Sequence, residues 1–139
     1  HDIGKLKIPD SILRKPASLS EEEWKTMRIH PDIGARIVEG IPFLKDTLYV
    51  IRYHHEPWDG SGYPNGLQGK EIPTQARIFA VADVFDALTS KRSYRSRSSA
   101  DDAVRYMQEQ SGILFDPEIV EILTQLPYHE LTEEERTPL

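Results

Sequence analysis

Between residues 57 and 73 the chain places four glycines and three prolines. No regular helix or strand survives that density of φ-permissive and donor-lacking residues. The segment must be an irregular loop, and it separates two stretches that both read as helical. It is too long for a plain connection in a compact domain, and loops of that kind tend to carry function. Directly in front of it stand His54-His55-Glu56, which close the preceding helical pattern. Two adjacent histidines at a helix end, facing an irregular loop, suggest a metal site with the loop shaping a pocket over it.

The flanking stretches are punctuated by helix signals. Residues 1 to 5 read as the last turn of a helix, with Gly4 and Lys5 suited to a C-terminal end. Asp10 can cap a short helix over Ser11 to Arg14. Ser20 and Glu23 form a capping box for a helix to about Ile29; its Trp24, Met27 and Ile29 are expected in the core. Pro31 suits a helix start with His30 at the cap, and Ile33, Ile37 and Val38 form its apolar stripe up to Gly40. Leu44 to about His55 is the next helix, with Leu48, Val50 and Ile51 inward. Thr74 to about Lys91 is the longest and most apolar, expected to be central and buried around most of its circumference. Ser99 with Asp102 opens another helix, and Asp116-Pro117 opens the last, to about Leu126. No stretch with β period, no repeat and no linker appears. The expected class is all-α, one domain over residues 1–128 with a polar tail over 129–139.

The 139-residue chain has no cysteine, so thiolate metal sites and disulfides are excluded and any metal must be held by His, Asp and Glu. That usage fits a cytoplasmic protein. The formal net charge of -6 gives no global attraction for DNA. An anionic ligand would need a local cationic patch or a metal. No apolar run is long enough for a transmembrane helix.

Candidate ligands sit at element ends: His1 and Asp2, His30, and His54 with His55. Asp83 lies among Val81, Ala82, Val84 and Phe85, where an ionised carboxylate needs a compensating cation. Taken singly, each has a plainer reading. His30 is a structural cap, Lys5 a solvated lysine at a helix C-terminus, and Arg92 and Arg95 a solvated basic patch; Asp83 could be satisfied by Arg77 or a backbone donor. Asp59-Gly60 reads as a turn former, and His129 falls in the polar tail.

The motifs together are more specific. His1-Asp2, His54-His55-Glu56-x-x-Asp59-Gly60-x-Gly62-Tyr63-Pro64 and Val81-Ala82-Asp83-x-x-Asp86-Ala87-Leu88-Thr89 resemble the HD-GYP family, a branch of the HD-domain metal phosphohydrolases. Lys7-Ile8-Pro9-Asp10, Lys15-Pro16, His30-x-x-x-Gly34, Arg92-x-Tyr94-Arg95 and Phe115-Asp116-Pro117 match as well, in order, to about residue 126. The resemblance implies a helical HD domain with two or three divalent metal ions, iron or manganese. It implies a cytoplasmic phosphodiesterase that opens the bacterial second messenger cyclic di-GMP to pGpG or GMP. Carried over residue by residue, it gives His1, Asp2 and Asp83 to a first metal and His30, His54 and His55 to a second, with Asp2 bridging. Lys5 would stand by the reacting oxygen and the scissile phosphate. Tyr63, Arg92 and Arg95 would contact substrate; the family often has Lys at the position of Arg95.

Two expectations follow from geometry and from what the family has upstream. Nine residues of ideal helix would put Arg92 opposite Asp83, so the helix must end or bend near Lys91 if Arg92 faces the site. The family places a further His, and often a Glu, on a helix before the HD pair. A chain starting at His1 would lack a ligand for the first metal and could not form a third site in the usual way. It would also expose an apolar patch that favours a homodimer. Such domains are usually fused to a receiver or sensor module. The rival readings are a non-catalytic scaffold that docks a diguanylate cyclase-type partner through Gly60–Pro64, and an HD phosphohydrolase for another cyclic dinucleotide.

Overall fold

The computed structural model describes residues 1–90 and 98–132. Arg92, Arg95 and the end of the tail lie outside the described residues. Seven α-helices are described: α1 Asp10–Leu13, α2 Glu21–Met27, α3 His30–Glu39, α4 Leu48–Tyr53, α5 Thr74–Thr89, α6 Ala100–Glu109 and α7 Pro117–Gln125. Short 3-10 turns cover Ile3–Lys7, Pro42–Thr47, Gly69–Glu71 and Tyr128–Leu131. Among the described residues there is no strand, only an isolated bridge between Ser111 and Phe115. The all-α expectation holds.

The local signals form as expected where their chemistry is local. Ser20 and Glu23 make the reciprocal capping box of α2, with Lys15 adding an ion pair to Glu23 at 2.6 Å. Ser99 caps α6 by accepting the Asp102 N–H, and Asp116 caps α7 by accepting the Glu118 N–H at 2.9 Å. Three boundaries differ from expectation. Residues 1 to 5 are not the end of an α-helix but the edge of the 3-10 turn Ile3–Lys7. His30 is the first residue of α3, not its cap, because Ile29 already takes the flanking position. The helix expected from Leu44 is 3-10 through Thr47 and α-helical only from Leu48, since Pro42 tightens its entry.

One core lies between α5, α6 and α7. Val81, Phe85, Ala103, Val104, Met107, Phe115, Val120 and Leu123 are buried together. Helix α5 buries a single stripe, Ala76, Val81, Phe85 and Thr89, rather than most of its circumference. Ile78 is 51% exposed and Ala82 is exposed. With Ile122 of α7 and Leu126 just after it, they line an open apolar groove. Asp83 is on the exposed side as well, which removes the burial argument made for it. Its sequence neighbours Val81 and Phe85 face the core, but adjacent helical residues do not share a face.

The second packing centre is built on backbone contact. A Cβ at Gly4 would lie 1.8 Å from the His30 carbonyl oxygen and 2.6 Å from the Gly34 nitrogen. A Cβ at Gly34 would lie 2.8 Å from Ile51 Cγ2. The Ile3–Lys7 turn therefore crosses α3 main chain against main chain, and α4 seats Ile51 on the same spot. That crossing brings Asp2, His30 and His54 to one end of the assembly.

Candidate metal centre

Asp2, His30, His54 and His55 each offer a ligand atom, and those atoms all lie within 4.8 Å of one another. They come from three places: the lead-in to the first turn, the start of α3, and the two residues that follow α4. The His30 ring Nδ1 is 2.8 Å from the Met27 carbonyl oxygen, and the His54 Nδ1 is 2.9 Å from that of Ile51. A carbonyl accepts only, so each Nδ1 carries the proton and donates it. Each Nε2 is then a bare lone pair. The two Nε2 atoms face each other at 3.3 Å. With neither donating, a cation could sit between them. Asp2 Oδ1 lies 3.5 Å from His30 Nε2 and 3.7 Å from His54 Nε2. The donor set of three imidazoles and one carboxylate suits Zn, Fe, Mn or Ni.

The electrostatics keep the imidazoles available as ligands. Burial, with the charge of His55, pushes His54 down to about 4. Burial, with the charge of His30, does the same for His55, also to about 4. His30 is lowered too, by burial first, against the Met27 hydrogen bond and the Asp2 charge. Burial pushes the Asp2 carboxyl up, but the hydrogen bond and charge of Lys5, with the two histidines, more than offset it and hold it below its usual value. All four groups thus sit at neutral pH in the protonation state that binds metal.

Asp2 presents its two oxygens to two sides. Oδ1 faces His30 and His54; Oδ2 accepts from Lys5 Nζ at 2.7 Å and lies 3.6 Å from His1 Nε2. His1 packs its ring 4.9 Å from that of His54 and 4.8 Å from that of Phe79. His1 therefore lines the cluster without belonging to the four-ligand group, and Asp83 is outside that group as well. Arg77, the alternative partner for Asp83, is engaged elsewhere. It pairs with the buried Asp116 and donates to the Ile72 carbonyl and Thr74 hydroxyl. His129 pairs with Asp101 at 3.4 Å and is not in the four-ligand group.

The long loop folds back onto the histidines. Tyr63 stacks on His55 with centroids 4.6 Å apart at 24°, and its N–H donates to the His55 carbonyl at 3.1 Å. Burial, with Asp2 nearby, raises its phenol to about 12, against the pull of Arg28. The turn is possible because residue 62 is glycine: a Cβ there would meet the His55 oxygen at 2.2 Å and Pro57 Cδ at 2.3 Å. Asp59 accepts the Ser61 N–H at 2.9 Å, the turn-forming role read from Asp-Gly.

Three contributors went unnoticed in the sequence. Glu56 is 3% exposed, and its carboxylate accepts the N–H groups of Asn65, Gly66 and Leu67 at 2.7, 3.1 and 3.1 Å. A carboxylate next to the paired histidines, followed by a loop rich in unpaired N–H groups, was the available signal. Phe79, on the helix expected to be buried around most of its circumference, walls His1 and His54. Trp24, also expected in the core, is 44% exposed and lies under the guanidinium of Arg28.

Comparison with known proteins places this geometry. A family model described as HD domain matches residues 1–119. The chain is 49% identical over 125 residues to the cyclic di-GMP phosphodiesterase response regulator RpfG of Xanthomonas campestris pv. campestris, covering 88% of this chain and 33% of that protein. It is 46% identical over 128 residues to a cyclic di-GMP phosphodiesterase of Thermotoga maritima, covering 91% and 35%. It is 45% identical over 125 residues to the 3'3'-cGAMP-specific phosphodiesterase 2 of Vibrio cholerae, covering 88% and 24%. The chain thus spans about a third or less of the length of these curated relatives. The crystal structure of a cyclic GMP-AMP specific phosphodiesterase of V. cholerae, V-cGAP3, aligns with a TM-score of 0.57 at 24% identity, over 86% of this chain and 32% of that one. That match speaks to the fold.

Proposed function

The chain belongs to the HD-domain family, in its HD-GYP branch, and from that premise we propose that it is the hydrolytic part of a metal-dependent cyclic di-GMP phosphodiesterase yielding pGpG or GMP. The observation that carries the reading is the pair of facing Nε2 lone pairs of His30 and His54, with Asp2 and His55 completing the ligand group. The relatives named for cyclic di-GMP support the substrate.

Two or three divalent ions, iron or manganese, would lower the pKa of water and neutralise phosphate charge when bound. His30, His54 and His55 would hold one ion, and His1 and Asp83 another, with Asp2 between them. The two-sided placement of the Asp2 oxygens supports that bridging role. Lys5 keeps Asp2 ionised and oriented by its hydrogen bond, and its ammonium is placed to meet an anionic group arriving there. The Met27 and Ile51 carbonyls fix the tautomer and aim of two ligands. Tyr63 stays a neutral phenol at the substrate side, and Arg92 and Arg95 complete the proposed contacts.

Relatives named 3'3'-cGAMP-specific phosphodiesterases favour a second reading, hydrolysis of another cyclic dinucleotide. Docking of a diguanylate cyclase-type protein on Gly60–Pro64, a receiver or sensor region in the same polypeptide, a homodimer and a cytoplasmic location belong to the same proposal. No helix among the described residues is long and apolar enough to cross a membrane. The test is to load the protein with manganese or ferrous iron, verify metal content, and separate products from cyclic di-GMP and cyclic GMP-AMP chromatographically. Turnover of the first, abolished by Asp2→Asn, is expected. A fully loaded protein that cleaves neither would refute the phosphodiesterase reading.

A further inference from the structure

Among the described arginines, Arg28 and the exposed Arg36 have no ion pair, and of these two Arg28 is the one seated against aromatic rings. Arg14, Arg52, Arg77 and Arg105 each pair with an aspartate. Arg28 has no ion pair and no side-chain hydrogen bond among the described residues. Its guanidinium carbon lies instead 5.9 Å from the Trp24 ring centroid and 5.6 Å from that of Tyr63. Aromatic faces hold a guanidinium in place without consuming its N–H donors. The side chain is exposed, at the end of α2, two residues before the buried ligand His30.

The proposed chemistry has a use for a cation at that position besides Arg92 and Arg95. Tyr63 bridges Arg28 to His55, so Arg28 lies on the rim of the metal centre, one aromatic ring out. A cyclic dinucleotide carries two phosphodiesters. Metal ions at the histidine group can engage only the one being cleaved. The second brings a charge to the surface of a chain whose formal net charge is -6. Lys5, bonded to Asp2 at the centre, is assigned to the phosphate being cleaved. Arg28 has its planar fork unspent, and that fork matches two oxygens of one phosphate.

We propose that Arg28 is a substrate-binding residue whose guanidinium, held over Trp24 and Tyr63, receives the phosphodiester of a cyclic dinucleotide that is not being cleaved. This rests on the phosphodiesterase reading and extends it to a residue outside the set implied by the family motifs.

The experiment compares Arg28→Ala and Arg28→Lys with the parent in the manganese-loaded full chain. Two substrates are used: cyclic di-GMP, and bis(p-nitrophenyl) phosphate, which has one phosphodiester and no base. Arg28→Ala should raise KM for cyclic di-GMP by about tenfold, the loss of one charge-assisted contact, with kcat nearly unchanged and manganese content equal to the parent. The loss in kcat/KM for bis(p-nitrophenyl) phosphate should be several-fold smaller, and Arg28→Lys should recover part of the cyclic di-GMP loss. An unchanged KM for cyclic di-GMP overturns the inference. So do equal losses on both substrates, which would place Arg28 at the cleaved phosphate or in folding. A lysine variant no better than alanine overturns the phosphate assignment in favour of a base edge. If the loaded parent cleaves neither substrate, the phosphodiesterase reading fails by itself. Calorimetric titration with cyclic di-GMP then decides the Arg28 question: weaker binding by the alanine variant supports it, and equal affinity refutes it.

Discussion

Replacing Glu56 by glutamine tests whether one buried carboxylate fixes the loop over the metal centre. Three main-chain N–H groups, of Asn65, Gly66 and Leu67, converge on its two oxygens. Oε1 takes the first two and Oε2 the third. Glutamine keeps the shape and one acceptor oxygen. With that oxygen on Asn65 and Gly66, its NH2 group faces the Leu67 N–H, donor against donor. The cost has two parts. Leaving a buried donor unpaired costs about 1–3 kcal/mol, and weakening two bonds from charged to neutral acceptor costs roughly 1 kcal/mol more. A net loss of about 2–4 kcal/mol is expected, a large share of the ~5–15 kcal/mol that holds a domain together. It is measured by urea denaturation of parent and variant. Amide hydrogen exchange locates it: protection of residues 65–67 should fall, while α6 and α7 amides change only with global stability. Tyr63 should also lose its stacking on His55, read from its aromatic NMR shifts. A variant within about 0.5 kcal/mol of the parent, with residues 65–67 still protected, would refute the anchor argument.

Other expectations address the crossing and the ligands. Gly4→Ala sets a Cβ against the His30 carbonyl and should cost at least about 3 kcal/mol, or roughly 10 °C in Tm, whereas Gly40→Ala, with nothing within 4 Å, should be neutral in the same melt. Asp2→Asn removes the charged ligand and should weaken manganese binding by calorimetry at least about 10–100-fold; unchanged affinity would remove Asp2 from the ligand set. His54 and His55 titrate near 4 in the folded protein against an ordinary 6.5. The unfolded chain therefore takes up their protons first as pH falls, so stability of the metal-free protein is full above pH 6.5 and declines toward pH 4. Their imidazole NMR signals should stay flat over that window, and a midpoint near 6.5 would contradict the burial assigned to them.

The fold was readable where its determinants are neighbours in sequence. A capping box needs only Ser20 and Glu23, and the loop needs only its own glycines and prolines, so both were legible from the chain. Burial is different. Asp83 was judged by the apolar residues beside it, yet on a helix those point elsewhere, and the residues that share its face are three and four positions away. Trp24 was misplaced by the same rule of thumb, although its exposed ring is what holds Arg28. The close approach at Gly4 and Gly34 is not readable from either glycine alone, because the two sides of that contact are distant in sequence. The metal centre shows the division most clearly. Motif resemblance lists six candidate ligands, of which Asp2, His30, His54 and His55 come together, but it gives no reason why a cation could bind among them. That reason is two carbonyls, of Met27 and Ile51, each three residues before its histidine, which place both protons on Nδ1. Only when α3 and α4 pack do the two bare Nε2 atoms meet at 3.3 Å, and a contact unfavourable for the protein alone becomes a place where a metal could bind.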